Sequence, residues 1–314
     1  TIISMKRIEK FLNERNIEKQ INCGDINDKF AVKINRMNFG IKDKKNRDKI
    51  ILNDITLEIN KEEIFAILGD TGSGKTCLAN AILGHFPSIP IDDASLKQIN
   101  GKISYASQIP FIINDTIRNN IVFFNEFDSE RYQTVLSVCQ LRQDIESLPG
   151  KDFTEISSNN LSGGQKARIN LARAVYNTAD IYIFDDPLSS VDSIISKDIV
   201  DKVLIKFLKG KTRILIKNDI NNLTFIDRVA YMDKGGVKWK GTTSEFMKSE
   251  LYARLRQTKM NEPMKRSPST KETAIKVNSV SNISVDVSCG NNIKKEKNKG
   301  KLIKEEEQSK GKVS

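Results

Sequence analysis

The feature that most constrains the fold is an eight-residue loop, Gly69–Thr76, which matches the pattern G-x-x-x-x-G-K-[ST]. The apolar residues 63–68 before it predict a buried strand, and residues 77–83 after it predict a helix that ends at Gly84. Glycines in such a loop let backbone N–H groups converge on phosphates, and the helix N-terminus adds its positive end. The sequence therefore predicts a site for a nucleoside triphosphate, rather than an ordinary glycine turn before a helix.

Two residues of this loop have separate expected tasks. We expect Lys75 to pair with the β- and γ-phosphates and the Thr76 hydroxyl to hold Mg²⁺. The predicted ATP-binding residues of the segment are Gly69, Asp70, Thr71, Gly72, Ser73, Gly74, Lys75, Thr76 and Cys77.

A second group of residues narrows the class of nucleotide-binding protein. A five-residue segment opens a predicted helix that carries Leu171, Ala174 and Val175 on one face; its residues are Leu161, Ser162, Gly163, Gly164 and Gln165. The buried strand predicted at 181–184 then ends in Asp185 and Asp186. A carboxylate at a strand end beside a phosphate loop suits Mg²⁺, so Asp185 is a predicted metal ligand. Gln108 follows another predicted strand and is a second candidate contact to the metal or to water.

Charge and composition limit the other functions. The chain has 51 Lys and Arg against 40 Asp and Glu, a net charge of +11, but the basic residues lack interleaved aromatics, which disfavours nucleic-acid binding. Four separated cysteines disfavour a disulfide framework or zinc ribbon, and no apolar run is long enough to span a membrane. The single histidine, His85, excludes any mechanism that needs a histidine pair, and we expect it on the surface.

Both ends of the chain differ from its centre. Met5, Ile8 and Leu12 predict a short amphipathic helix near the start. Residues 261–314 contain 12 Lys and Arg against 7 acidic residues and few apolar ones, which predicts disorder. The basic run 294–301 is either a solvated linker or a site of attraction to acidic lipids, and Ser267 is a candidate phosphorylation site.

These residues resemble the ATP-binding cassette of ABC transporters, and the likeness covers residues 31–258. Residues 144–149, 161–168 and 185–192 resemble the multidrug-resistance-associated, or C, subfamily, whose first cassette typically carries Asp-Asp where others carry Asp-Glu. The resemblance implies an α/β fold: a P-loop NTPase core with a mainly parallel sheet, a small antiparallel β subdomain, and an α-helical signature subdomain at about 109–176. A disordered C-terminal tail follows.

The resemblance also implies a domain order. Residues 1–30 would connect from a preceding membrane domain, and 259–314 would form a disordered basic linker toward a second one. We therefore expect a first cassette plus its linker, taken from a longer polypeptide that also supplies the second cassette. Such a protein lies in a membrane, with this portion on the cytoplasmic face.

In such cassettes two copies close head to tail around two ATP molecules. By resemblance, the Gly69–Thr76 loop, Gln108 and Asp185 hold Mg-ATP, whereas Leu161–Gln165, the signature segment, acts on ATP of the partner cassette. Asp192 would lie at the interface between the two.

The sequence departs from this pattern around its own nucleotide. Asp186 stands where a longer glutamate usually polarises the attacking water, and Asn218 stands where a switch histidine is expected. An amide cannot hold or relay a proton at neutral pH. The aromatic that usually stacks on adenine is replaced by Gly40 and Ile41, unless Phe39 substitutes for it. Residues 154–160 are about two residues shorter than usual before the signature.

We therefore expect an exporter cassette whose own site is weakly hydrolytic. The main alternative is an ATP-sensing regulatory cassette, because the same subfamily includes channel-gating members. A soluble ATPase of DNA repair or translation would need a coiled-coil insertion between Gln108 and Leu161 or a second cassette, and an importer subunit would lack the connector helix.

Two local predictions concern the end of the cassette. Trp239 follows the Gly235-Gly236 turn, which predicts that it packs on a hairpin. The segment Thr242–Glu245 predicts a capping box for one helix that bears Met247, Leu251 and Leu255.

Overall fold

A computed structural model describes residues 2–12, 28–42 and 48–261. Its strands are β1 (Phe30–Lys42), β2 (Asp48–Asn60), β3 (Ile64–Gly69), β4 (Ser88–Pro90), β5 (Leu96–Ile99), β6 (Ile103–Ala106), β7 (Asp115–Thr116), β8 (Glu155–Ile156), β9 (Ile181–Asp185), β10 (Thr212–Lys217), β11 (Arg228–Asp233) and β12 (Gly236–Thr242). Its α-helices are α1 (Ile2–Leu12), α2 (Lys75–Ile82), α3 (Ile117–Val122), α4 (Ser129–Val138), α5 (Arg142–Glu146), α6 (Gly163–Tyr176), α7 (Ser193–Ile199), α8 (Thr243–Lys248) and α9 (Glu250–Asn261). The tail at 262–314, with its predicted disorder and Ser267, lies outside the described residues.

The central sheet has six strands in the order β12-β11-β3-β10-β9-β6. Every neighbouring pair is parallel except the β11–β12 hairpin. Its strands β3 and β9 are buried along their whole length, as expected for short apolar runs covered on both faces. Because these strands are parallel, the residues that follow β3, β6, β9 and β10 meet at one edge of the sheet.

Helices cover the two faces of this sheet through separate apolar clusters. Leu78 of α2 packs with Phe65 and Ile67 on one face. Leu171 of α6 and Val203 pack on the other face. The helix after the phosphate loop and the helix after the signature segment therefore lie on opposite sides of the sheet.

A smaller antiparallel sheet is built on β1, which pairs with β2, β4 and β5. It adjoins the core where the Asn53 N–H donates to the Gly235 carbonyl at 2.9 Å. The predicted antiparallel β subdomain is confirmed.

The segment between β6 and β9 forms the helical subdomain with α3, α4, α5 and α6, together with the short β7–β8 pair. Arg173 on α6 joins its parts, since the guanidinium donates to the Asn120 and Phe111 carbonyls at 2.7 and 2.6 Å. The predicted shortened segment before the signature is occupied by β8 and a 3-10 turn at Ser158–Asn160.

The end of the cassette differs from one prediction. Trp239 packs on Phe246 beside the β11–β12 hairpin, and the Thr242–Glu245 capping box forms, as predicted. The single helix predicted beyond it is wrong, because the chain breaks at Ser249 into α8 and α9. The Ser249 hydroxyl donates to the Phe246 carbonyl and accepts from the Tyr252 N–H, so it ends one helix and caps the next.

The predicted N-terminal helix is present as α1, with Met5 and Ile8 exposed. Among residues 2–12, 28–42 and 48–261, none of the helices combines the length and the apolar character that a membrane span requires.

Candidate nucleotide-binding site

The phosphate loop connects β3 to α2, as the motif predicted. A Cβ atom at Gly69 would lie 2.4 Å from the Met232 carbonyl oxygen, so only glycine fits where the loop passes β11. Gly74 adopts a φ of 103° at the N-cap of α2, a conformation that favours glycine. Gly74 therefore leaves the N-cap of α2 without a side chain, which suits the approach of a phosphate group.

Lys75 lies inside this loop and not in solvent. Its ammonium donates to the carbonyls of Gly69 at 2.8 Å and Asp70 at 2.7 Å. Burial lowers the pKa of Lys75, and the carboxylates of Asp185 and Asp70 raise it. The net pKa of Lys75 is lowered, and the two carbonyl hydrogen bonds position its ammonium where the motif requires a phosphate contact.

Asp185 ends β9 and is almost fully buried. Its carboxylate accepts hydrogen bonds from the hydroxyls of Thr76 and Tyr105, the latter at 3.3 Å. Burial raises the pKa of Asp185, while these two hydrogen bonds and Lys75 lower it.

The donor set at Asp185 and Thr76 fits Mg²⁺. This ion binds through one or two carboxylates, a hydroxyl and substrate phosphates instead of an all-protein cage. Asp185 and the Thr76 hydroxyl would hold the ion, which would supply positive charge beside the phosphates.

Gln108 lies two residues beyond β6, next to β9 in the sheet. Its side chain is exposed, and in the described part of the chain it makes no hydrogen bond to Asp185 or to the phosphate loop. The structure brings Gln108 to the correct edge of the sheet, and its contact to metal or water remains a prediction.

Asp186 and Asn218 follow β9 and β10, which are adjacent parallel strands. The Asn218 amide donates to the Asp186 carboxylate at 3.1 Å, and the Asp186 N–H donates to the Ile216 carbonyl at 3.1 Å. Asp186 has a φ of 45°, a left-handed conformation that aspartate tolerates better than most residues. Burial and the neighbouring Asp219 raise the pKa of Asp186, whereas the Asn218 hydrogen bond lowers it.

The signature segment forms the start of α6. Ser162 is its N-cap: the hydroxyl accepts from the Gln165 N–H at 3.2 Å, and the Gln165 side chain accepts from the Ser162 N–H at 3.0 Å. The hydroxyl keeps its own proton free to donate. Gly163 and Gly164 expose backbone in the first turn, so a hydroxyl and backbone amides face outward together.

Asp144 on α5 stabilises the signature segment through contacts with two residues of α6. Its carboxylate accepts from the Gln165 side-chain amide at 3.3 Å and pairs with Arg168 at 2.9 Å. Arg168 in turn donates to the Gln140 carbonyl at 2.6 Å. These contacts fix the first turn of α6 against the helical subdomain.

The segment that follows Asp186 runs beside the signature glycines. A Cβ atom at Gly164 would lie 3.4 Å from the Ser190 carbonyl oxygen. Asp192, the predicted interface residue, is exposed and caps α7 by accepting from the Ile194 N–H at 2.8 Å. Its role between two cassettes remains a prediction.

The structure corrects the expectation for the adenine contact. Phe39 is fully buried between the small sheet and the core, so it does not present its ring to a nucleotide. Ile41 and Ile50 near the end of the β1–β2 ladder are partly exposed instead. Phe39 is buried because an aromatic ring contributes more to the free energy of folding in the core than on an exposed strand end.

Sequence reasoning did not assign site roles to Tyr105 and Asp144. Tyr105 precedes the end of β6, and strand pairing places it beside Asp185. The available signal was a tyrosine at the end of a strand that leads to Gln108. Asp144 lies 21 residues from Gln165, and no local pattern connects the two.

The fold and this site together define a P-loop nucleotide-binding domain with a signature helix. A family model described as "ABC transporter" matches residues 52–189. The chain is 40% identical over 245 residues to "ABC transporter C family member 8" of Dictyostelium discoideum, covering 76% of this chain and 15% of that protein. It is 37% identical over 249 residues to "ATP-binding cassette sub-family C member 2" of Homo sapiens, covering 78% and 16%.

A third relative is the "Cystic fibrosis transmembrane conductance regulator" of Danio rerio, 42% identical over 197 residues, covering 62% of this chain and 13% of that protein. The chain belongs to the C family of ABC transporters. It matches only 13–16% of the length of these three relatives.

Proposed function

We propose that this chain is the nucleotide-binding domain of an ABC-type exporter. It binds Mg-ATP, pairs head to tail with a second cassette and drives transport of a substrate across a membrane. The second cassette and the membrane domains belong to the same polypeptide, and this portion lies on the cytoplasmic face. The small share of each relative that the chain matches supports this arrangement.

The observation that carries the proposal is a difference between the signature segment and the position that would activate water. The signature segment has its full set of supports in Ser162, Gln165 and Asp144. The position that would activate water has Asp186 hydrogen-bonded to the Asn218 amide instead of a glutamate beside a histidine.

This pair is poorly suited to general-base catalysis. The Asp186 side chain is one methylene shorter than glutamate, and its hydrogen-bond partner cannot accept a proton. A well-placed general base contributes roughly 10²–10⁴-fold to a rate, so its loss leaves slow turnover. Lys75, Thr76 and Asp185 keep the arrangement that binding requires. The domain therefore holds ATP for long periods and contributes its signature segment to the site of the partner cassette.

The test replaces Asp186 with Asn in the full-length transporter. We expect ATPase activity and transport to change little, since the partner site performs most of the hydrolysis. Asp219→Asn is the matched control, because Asp219 is an exposed carboxylate just after the adjacent strand β10. Complete loss of ATPase activity in Asp186→Asn alone would contradict the proposal.

The second candidate function is an ATP-sensing regulatory cassette of a C-subfamily channel or channel regulator. The relative named as a conductance regulator favours it. Reconstitution of the full-length protein in vesicles separates the two. An exporter shows substrate uptake that requires ATP hydrolysis, whereas a regulator shows ion flux that a non-hydrolysable ATP analogue also supports.

A further inference from the structure

A cavity of about 400 Å³ lies beside the end of β9, apart from the phosphate loop. Its inner wall is apolar and includes Leu171, Val203, Leu204 and Phe225. Leu171 and Val203 belong to the cluster that covers the face of the sheet opposite α2. The cavity is thus separated by the sheet from the helix that follows the phosphate loop.

The helix that forms one wall is irregular. After α7 the chain continues as a π-helix at Val200–Phe207, and Val200, Val203 and Leu204 from it line the cavity. π-helical turns are rare and occur frequently at functional sites.

Some charged side chains at the rim of the cavity have a hydrogen-bond or ion-pair partner, and one has none among the described residues. Lys217 donates to the Asn221 carbonyl at 2.9 Å and lies 3.5 Å from Asp219. Asp186 accepts from Asn218. Lys197 also lines the cavity and is exposed, and its side chain makes no hydrogen bond or ion pair with any residue in the described ranges.

We propose that this cavity binds a small amphipathic anion, with an apolar body among Leu171, Val203 and Phe225 and one carboxylate or sulfonate at Lys197. The volume is within the range of about 300–1,000 Å³ that small-molecule sites occupy. An apolar wall with few polar groups at its rim is the usual composition of such sites. An anion is favoured over a cation because the carboxylates of Asp186 and Asp219 already have partners, whereas the Lys197 side chain has none within the described part of the chain.

This inference does not rest on the proposed function, because it concerns binding alone. The same cavity is lined by Asp186 and Ser189, from the segment that leads to Asp192. A ligand there would contact that segment without entering the phosphate loop.

The test uses two fluorescent probes on the full 314-residue chain without nucleotide. The anionic probe is 8-anilinonaphthalene-1-sulfonate, and the uncharged probe is N-phenyl-1-naphthylamine, which has a similar apolar body without the sulfonate. We expect the anionic probe to bind saturably with one site per chain and to be displaced by dodecanoate.

Three variants locate the site. Val200→Trp fills the cavity and should abolish saturable binding of both probes. Lys197→Glu should lower the affinity for the anionic probe by about fivefold and leave the affinity for the uncharged probe unchanged. Lys209→Glu is the matched control, since Lys209 is an exposed lysine outside the cavity with the same charge change. Circular dichroism and thermal unfolding verify that each variant is folded.

Absence of saturable binding to the wild-type chain would overturn the proposal. Equal weakening by Lys197→Glu and Lys209→Glu would also overturn it, because that result reports net charge only. Because Lys197 is exposed, its substitution tests the site even if Val200→Trp does not fold.

Discussion

The Asn218 side-chain amide donates a 3.1 Å hydrogen bond to the carboxylate of Asp186 across two adjacent parallel strands. The Asn218 amide donates a hydrogen bond but does not take up a proton. Its partner Asp186 has a pKa that is raised by burial and by Asp219. The arrangement positions both side chains, but the Asn218 amide cannot hold or relay a proton beside Asp186 at neutral pH.

Restoring both catalytic residue types should increase hydrolysis. We expect Asp186→Glu combined with Asn218→His to raise single-turnover ATPase activity of this site by at least about tenfold, within the contribution of a positioned general base. Acid-quench measurements on the full-length transporter check this. Each single variant serves as a control and should give a smaller gain. An unchanged rate in a double variant that still binds ATP would contradict the assignment.

Ser162→Arg should abolish transport and ATPase activity of the full-length protein. The substitution removes the N-cap of α6 and places a bulky side chain where an anion would approach. Vesicle transport assays and steady-state ATPase rates measure the effect. Ser158→Arg is the control, because Ser158 is an exposed serine in the 3-10 turn just before the signature. Equal loss in both variants would show that bulk in this region, and not the cap, is responsible.

Asp144→Ala should loosen the signature segment. Gln165 and Arg168 lose their shared partner, and Arg168 is left half-buried without its carboxylate. Hydrogen bonds to charged groups contribute about 1.5–3 kcal/mol, so we expect a loss of that order in the free energy of unfolding. Urea unfolding of the 314-residue chain measures it. Asp144→Asn keeps an acceptor for Gln165 and should lose less; an unfolding free energy equal to that of the wild type in Asp144→Asn would refute a separate role for the charge.

Asp185→Asn should stabilise the chain at neutral pH. Burial raises the folded-state pKa of Asp185 above its unfolded value. The folded protein therefore binds this proton more tightly, and that contribution to stability is present at low pH and lost as the pH rises through the folded pKa. Removing the charge should raise the Tm at pH 7 by roughly 2–4 °C for each kcal/mol gained, with no gain below about pH 4.

Asp180→Asn is the opposite control for this pH experiment. The Lys102 N–H and Lys211 lower the pKa of Asp180, so its charge is favourable in the folded state. We expect this variant to have a lower Tm than the wild type at pH 7 and no difference at low pH. A Tm loss at pH 7 in Asp185→Asn would contradict the role of burial. Asp185→Asn should also weaken Mg-ATP binding, because the metal ion loses its carboxylate ligand.

Much of the site was predictable because it is local in the chain. The strand, glycine loop and helix around Gly69–Thr76 follow one another directly, and the capping box at Ser162 and Gln165 spans one helical turn. The mainly parallel sheet and the helical subdomain also follow from the order of apolar runs and helical patterns. Helix ends were less predictable: the break at Ser249 depends on hydrogen bonds that compete with continuation of the helix.

The sequence by itself determined the phosphate loop, the signature cap and the positions of Asp186 and Asn218 after two apolar strands. Only the tertiary structure decided that Phe39 is buried, that Asp144 supports Gln165, and that Lys197 lies beside an apolar cavity. The physical reason is the distance along the chain between the groups that interact. Loops and caps are closed by neighbouring backbone groups, whereas burial and side-chain pairing depend on the packing of elements far apart in the chain.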